Sequence, residues 1–292
     1  MPKFIVATES GCDLSLEFCQ QREIYALKMK YTMDGEIQTD TMRPEDLKVF
    51  YRKMAEGSSV HTSAANMSDY LDFWTPLLDK KLPIVHVAMG TGISSSYQNA
   101  LLAREQLLSE HPDAVIYVVD SIGASLSYGM LALDAARMRD EGATPEECVA
   151  WLENQRHHAN PYYTTGDLEY LYRGGRVSRT GLVIARALNI WPILNLNDKG
   201  ELKVIEKSRG RKKTYDRITE IIKEDAVDPA SQTLYISHAD ALEEATRFAE
   251  QIKSEVGFKD IFYSTIGATI GAHTGPGLVA AFYYGHDRKP SK

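Results

Sequence analysis

Ile84-Val85-His86-Val87-Ala88-Met89-Gly90-Thr91-Gly92-Ile93-Ser94-Ser95-Ser96-Tyr97 is the stretch that decides how this chain folds. Residues 84–88 form a short apolar run bounded by turn residues, which predicts a buried strand. A loop of Gly, Thr and Ser follows. A helical pattern then opens, with Tyr97, Leu101 and Leu108 on one face. A strand that runs through a glycine loop into a helix is a natural anion site. Glycines let the backbone approach a ligand, and the free N–H groups of the helix start, with nearby hydroxyls, supply donors. The stretch therefore predicts a loop that grips a small negatively charged head group. Serine is also a favoured helix cap, so Ser94-Ser95-Ser96 fits plain capping as well, and the residues leave both readings open.

Outward toward the N-terminus, residues 3–8 predict a first strand, Glu9 to Asp13 a turn and residues 15–21 a helix. Residues 24–33 alternate as one longer strand, closed by the hairpin signal Asp34-Gly35. A helix over 44–56 begins with Pro44, tolerated in a first turn. His61-Thr62-Ser63-Ala64-Ala65-Asn66 reads as a small polar loop before a helix over 67–80. Outward toward the C-terminus, residues 114–119 predict a second buried strand ending in Asp120-Ser121, followed by a helix to 141. Thr144-Pro145-Glu146-Glu147 is a capping box that opens a helix to 158. Strands alternating with helices imply a mainly parallel α/β sheet. Ligands of such sheets sit beyond the carboxyl ends of the strands, where Thr62, Ser94 and Asp120-Ser121 are placed to collect.

The pattern changes near Asn160-Pro161. Residues 162–165 read as a strand, and 168–177 are rich in Arg and Gly. Residues 190–196 and 201–206 flank a hairpin at Asn197-Asp198-Lys199-Gly200. Residues 211–224 form an amphipathic helix with Tyr215, Ile218, Ile221 and Ile222 on one face. A strand over 233–237, a helix over 242–256 and a strand over 261–266 follow. Next comes a glycine-rich loop from Gly267 to Gly277, and then a final strand over 278–284. The expected fold class is α/β in two domains. An N-terminal domain over 1–160 has a mainly parallel sheet with flanking helices, and an α+β domain covers 161–292.

The 292 residues carry a formal net charge of −7, which disfavours nonspecific nucleic-acid binding. The three cysteines, Cys12, Cys19 and Cys148, lack CxxC spacing and read as reduced thiols. The first residues have no signal-peptide layout, and no apolar run is long enough to span a bilayer, so the expected location is the cytoplasm. Ser95 occupies the third glycine position of a dinucleotide fingerprint, and no phosphate-loop motif occurs. His157-His158 diverge on a helix, and no HExxH is found, so neither a metal nor a cofactor is expected. His273 sits among four glycines in eleven residues; close packing around a polar side chain marks it for use, although a lone His is commonly structural. His61 has a weaker case. No fixed spacing links a Ser or Cys to His273 as a nucleophile–base set. Two basic stretches, Arg173/Arg176/Arg179 and Lys207 to Lys213, interrupt the acidic chain. They read as solvated faces or as a docking surface for an acidic or phosphate-bearing partner. Nucleic acid is disfavoured by the charge and by the lack of interleaved aromatics.

Several motifs in order along the chain are similar to the DegV family of bacterial fatty-acid-binding proteins. They are Ser10-Gly11-Cys12-Asp13-Leu14, Thr62-Ser63, Gly92-Ile93-Ser94 with Tyr97-Gln98, and Val119-Asp120-Ser121 with Ala124-Ser125. Leu168-Glu169-Tyr170-Leu171, Gly174-Gly175-Arg176-Val177-Ser178, Pro192-Ile193-Leu194, and Ile270-Gly271 with His273 and Gly275-Pro276-Gly277 complete the set. The resemblance implies two α/β domains with a long-chain acyl ligand between them. It also implies a partner, an ATP-dependent fatty acid kinase that converts the carboxylate to an acyl phosphate, with no catalysis by the chain itself. Carried over residue by residue, it places the carboxylate contacts at Thr62, Ser94 and His273, flanked by Ser63, Ser95, Gly92 and Thr274. Arg173, Arg176 and Arg209 become kinase-facing, and transient membrane contact is allowed. The chain departs from the family pattern at Ala64-Ala65-Asn66, where a Gln-Pro sequence is common, at Ser95-Ser96, where Gly-Thr is common, and at Glu9, where Asp is common. The competing reading is a stand-alone hydrolase or phosphotransferase using Ser94 and His273.

Overall fold

The structure is a computed structural model that describes residues 3–178 and 190–288. Arg179, part of the first basic stretch, lies outside the described residues. Four parallel strands form the first sheet: β1 (Ile5–Glu9), β2 (Ile24–Leu27), β6 (Ile84–Ala88) and β7 (Ile116–Asp120), in the order β2-β1-β6-β7. Strand β6 is buried at all five positions, as expected of a central parallel strand with both faces covered. A second sheet runs β10-β9-β8-β13-β11-β12. It contains β8 (Ala159–Thr164), β9 (Ile190–Leu196), β10 (Leu202–Arg209), β11 (Thr233–His238), β12 (Asp260–Thr265) and β13 (Val279–Tyr284). Its neighbours are antiparallel except β11 and β12. A small antiparallel sheet holds β3 (Lys30–Met33), β4 (Glu36–Thr39) and β5 (Val60–Thr62), in the order β4-β3-β5.

Helix α5 (Leu126–Asp140) joins the two large sheets. It contacts β1, β2 and β6 on one side and β8, β11 and β13 on the other. Its apolar residues are buried around most of its circumference, which is why it lacks amphipathic periodicity. The opposite face of the second sheet is covered by α8 (Arg211–Asp225) and α9 (Leu242–Val256). There Tyr215, Ile218 and Ile222 form a separate core with Phe248, Ile252, Val279 and Ala281. The period-2 alternation of β13 sends Ala280 and Phe282 into the larger core and Val279, Ala281 and Tyr283 into this one.

Capping chemistry follows the sequence closely. In α6 (Pro145–Gln155) the Glu147 amide donates to Thr144 Oγ1 at 3.2 Å, and the Thr144 amide donates to Glu147 Oε2 at 2.8 Å. Asn66 and Asp69 make the same reciprocal pair at the start of α3 (Met67–Leu78). Asp34 and Gly35 take φ of 52° and 88°, the double left-handed turn of a two-residue hairpin.

Three expectations are corrected. Residues 24–33 form two strands in two sheets: β2 pairs with β1, and β3 pairs with β4 and β5. Between them the Met29 amide donates to Ser10 Oγ at 3.1 Å. Alternation persists across the break because both strands have period 2, so the pattern does not reveal the change of partner. His61 and Thr62 are not loop residues; they pair with Thr32 and Tyr31. The glycine-rich segment at 267–277 contains α10 (Ala268–Thr274), stopped by Gly275 at φ 67°.

Candidate functional site

The end of β5 and the last turn of α10 meet. Thr62 Oγ1 and His273 Nε2 lie 2.6 Å apart although 211 residues separate them. Burial, aided by the nearby Arg176 cation and by His61, draws the His273 pKa down from 6.5 to about 4, so the imidazole is neutral at pH 7. His273 Nδ1 and Thr274 Oγ1 are buried and have no hydrogen-bond partner. Such orphans are uncommon and call for a bound group or a structural reason. The His273 ring rests against Gly174, where a Cβ would lie 2.1 Å from Nδ1. Only a residue without a side chain fits there.

Thr62 and His273 line a cavity of about 270 Å³ together with His61, Tyr170, Arg173 and Arg176. The two arginines come from α7 (Glu169–Arg173) and the turn after it. Arg176 Nε and Nη2 donate to the Ile93 carbonyl at 3.2 and 3.0 Å, joining this turn to the glycine loop. Arg176 also lines a second, more open groove of about 670 Å³ with Gly92, Ile93, Glu201, Lys203 and Lys207. Arg209, exposed at the end of β10, lines neither.

Ser94 does not bond to Thr62 or His273. Its hydroxyl accepts from the Ser96 amide at 3.2 Å and lies 2.8 Å from Ser96 Oγ. Ser96 Oγ in turn accepts from the Ala65 amide at 3.3 Å, so the serine loop is tied to the segment after Thr62. The helix there, α4 (Ser96–Glu110), starts after Ser95, which is exposed and makes no side-chain cap. Ser63 is also exposed. The loops after β6 and β7 meet: the Gly90 amide donates to the Gly123 carbonyl at 2.8 Å, and Thr91 Oγ1 donates to Asp120 Oδ2 at 2.7 Å.

The glycines of this loop serve packing. A Cβ at Gly92 would lie 2.4 Å from the carbonyl carbon of Gly200, in the β9–β10 turn. A Cβ at Gly90 would lie 2.5 Å from the Gly123 amide nitrogen. The backbone these glycines approach is therefore the protein's own.

The DegV family pattern, described as that of an uncharacterised protein family, matches residues 3–286. The chain belongs to the DegV family. A DegV domain-containing protein of Clostridium perfringens is 34% identical over 291 residues, covering 99% of this chain and 100% of its own length. Among solved structures, DegV of Bacillus subtilis, described as a fatty acid binding protein, is 25% identical with a TM-score of 0.84, covering 98% of this chain and 100% of its own. A Thermotoga maritima protein reported to reveal fatty acid binding function is also 25% identical, with a TM-score of 0.84, covering 97% and 100%.

This DegV fold brings together residues that lie far apart in the sequence. Arg173 and Arg176 share one cavity with Thr62 and His273, which is a contact between distant segments that no local pattern reports. Tyr170 packs against Gly275, a contact that its local motif does not reveal. Asp40, which holds the start of α10, carried no signal at all. Among the described residues no group of three His, Cys, Asp or Glu is arranged to hold a metal, and no helix is long and apolar enough to cross a membrane.

Proposed function

We propose that this chain binds a long-chain fatty acid between its two α/β units, residues 1–160 and 161–292. It shields the acyl chain and presents the carboxylate to an ATP-dependent fatty acid kinase without catalysing a reaction itself. The observation that carries the reading is the Thr62–His273 pair, with its neutral imidazole, in the same cavity as Arg173 and Arg176. The fatty acid binding described for relatives 25% identical over nearly the whole chain supports it.

The energetics fit a carrier. Each buried methylene contributes roughly 0.8 kcal/mol, so about fourteen supply on the order of 11 kcal/mol before association costs. An unpaired buried carboxylate would cost several kcal/mol. Hydroxyls of Thr62 and Ser94 and an N–H of His273 offset that cost. Arg173 and Arg176 bring positive charge to the side from which a phosphoryl donor would approach. Arg209 extends the same charge along β10.

Native mass spectrometry followed by denaturation and lipid identification tests the reading. A stoichiometric fatty acid is expected in the native spectrum only, with occupancy reduced in Thr62→Ala/Ser94→Ala. With a fatty acid kinase and ATP, acyl phosphate is expected; the chain with ATP alone should give none. A protein that stays empty after incubation with palmitate and oleate would overturn the carrier reading, and turnover by the chain alone would overturn the non-enzymatic one.

A further inference from the structure

Helix α10 carries His273, but its sequence is a poor helix former. It has seven residues, with Gly271 inside and β-branched Thr269, Ile270 and Thr274 around it. A helix this short does not persist without tertiary support. Two buried carboxylates supply that support at its first turn. Asp13 Oδ1 accepts from the Gly267 amide at 2.8 Å. Its Oδ2 accepts from the Ser125 hydroxyl, which lies 3.2 Å from Ser237 Oγ. Asp40 Oδ2 accepts from the Thr269 amide at 3.1 Å and from the Thr269 hydroxyl at 2.9 Å.

The two carboxylates reach α10 from different places. Asp13 follows β1, and Asp40 links β4 to α2 (Pro44–Ala55). Gly267 sits between them: a Cβ there would lie 3.0 Å from Asp40 Oδ2 and 3.2 Å from Asp13 Oδ1. A third contact comes from α2, where the Tyr51 hydroxyl donates to the Ile266 carbonyl at 2.8 Å. The helix start is thus held from three sides, and the far end carries the imidazole that meets Thr62. Six residues of helix span about 9 Å, so a tilt of about 10° at the start moves His273 by roughly 1.5 Å. That is enough to break a 2.6 Å contact.

We propose that Asp13 and Asp40 are positioning residues that set the direction of α10 and so hold His273 Nε2 against Thr62 Oγ1. Neither carboxyl meets a Lys or Arg among the groups that act on it, and burial pushes both pKa values up. Two buried acids with no cation beside them are a poor way to stabilise a core, since apolar residues would pack there without the desolvation cost. Their geometry accounts for their presence: each oxygen that faces α10 is aimed at a first-turn donor. The consequence for ligand affinity rests on the head-group reading given above; the consequence for His273 itself does not.

The test uses the full chain labelled with ¹⁵N-histidine. Imidazole ¹H–¹⁵N spectra report the tautomer and environment of His273, assigned with His273→Gln, and displacement of cis-parinaric acid reports fatty-acid affinity. In Asp13→Ala and Asp40→Ala the His273 signals should shift or double, and affinity should fall by about tenfold. Asp13→Asn keeps an acceptor for the Gly267 amide, and its new NH₂ donates to Ser125, so it should stay within about twofold of the native chain. Thr269→Val removes only the hydroxyl half of the Asp40 grip and should move the His273 signals by less, which keeps the proposal testable if an alanine variant fails to fold. Unchanged His273 spectra in Asp40→Ala and Thr269→Val would overturn it. Shifted spectra, together with a His273→Ala variant that binds as tightly as the native chain, would uphold the positioning role and overturn the head-group assignment instead.

Discussion

A methyl group added at Gly174 would lie 2.1 Å from His273 Nδ1, while the backbone there (φ −73°, ψ −5°) accepts any residue. Gly174→Ala is therefore a purely steric probe of the imidazole. It should cost about 1–3 kcal/mol in urea unfolding, and His273→Ala in the same chain should recover most of that loss. Simple additivity of the two substitutions would show that the ring is not packed there. A second consequence concerns pH. His273 titrates near 4 in the folded chain, against about 6.5 when unfolded. The unfolded chain therefore takes up the proton first as pH falls. The resulting penalty is absent above pH 6.5 and fully developed below pH 4, reaching about 3 kcal/mol at most. The stability difference between pH 7 and pH 4.5 should be smaller in His273→Gln than in the native chain; an equal difference would place the imidazole in water. At this scale the sequence named Thr62, Ser94 and His273 because hydroxyls near strand ends and a histidine among glycines are local signals. It could not name Asp40, a single acid between β4 and α2, whose importance comes from a partner 229 residues away.

At the scale of elements, the glycine loop has a packing role that its motif does not report. Gly92 is used for packing: its Cα faces the backbone of Gly200, and Gly200 itself (φ 75°) lies where a Cβ would meet the Ile122 carbonyl oxygen at 2.8 Å. Three chain segments thus stack backbone on backbone. Gly92→Ala should destabilise the protein by about 1–3 kcal/mol or more and speed hydrogen exchange at the Gly90 and Ser94 amides, whose acceptors are the Gly123 and Gly90 carbonyls. If glycine were there only to admit a ligand, the substitution would leave stability intact and reduce affinity alone. The same scale explains the other misread elements. Strands β2 and β3 share one alternating pattern but not one sheet. Helix α10 has the composition of a loop and becomes a helix because carboxylates from distant turns hold its first donors. Long, self-sufficient elements such as α9 were legible to the residue, since an apolar face and flanking turns suffice to specify them.

At the scale of the molecule, helix α5 decides how independent the two sheets are. A boundary near residue 160 follows the change in sequence pattern, but α5 lies before that boundary and packs on strands from both sides of it. The larger core likewise draws on Ile5, Val6 and Val85 from the first sheet and on Leu194, Ala280 and Phe282 from the second. Burying one helix against two sheets couples their stabilities, because neither can open without exposing α5 to water. Leu131 on α5 is fully buried, and Leu131→Ala should cost about 2–5 kcal/mol. If the coupling holds, the slowest-exchanging amides of β6 and β11 share one opening free energy in the native chain, and the substitution lowers both by the same amount. A loss confined to β6, with β11 unchanged, would show that residues 161–292 unfold as a unit of their own. On the proposed carrier reading, the acyl chain would then lie between bodies free to separate, and ligand binding would stabilise their contact more than either sheet.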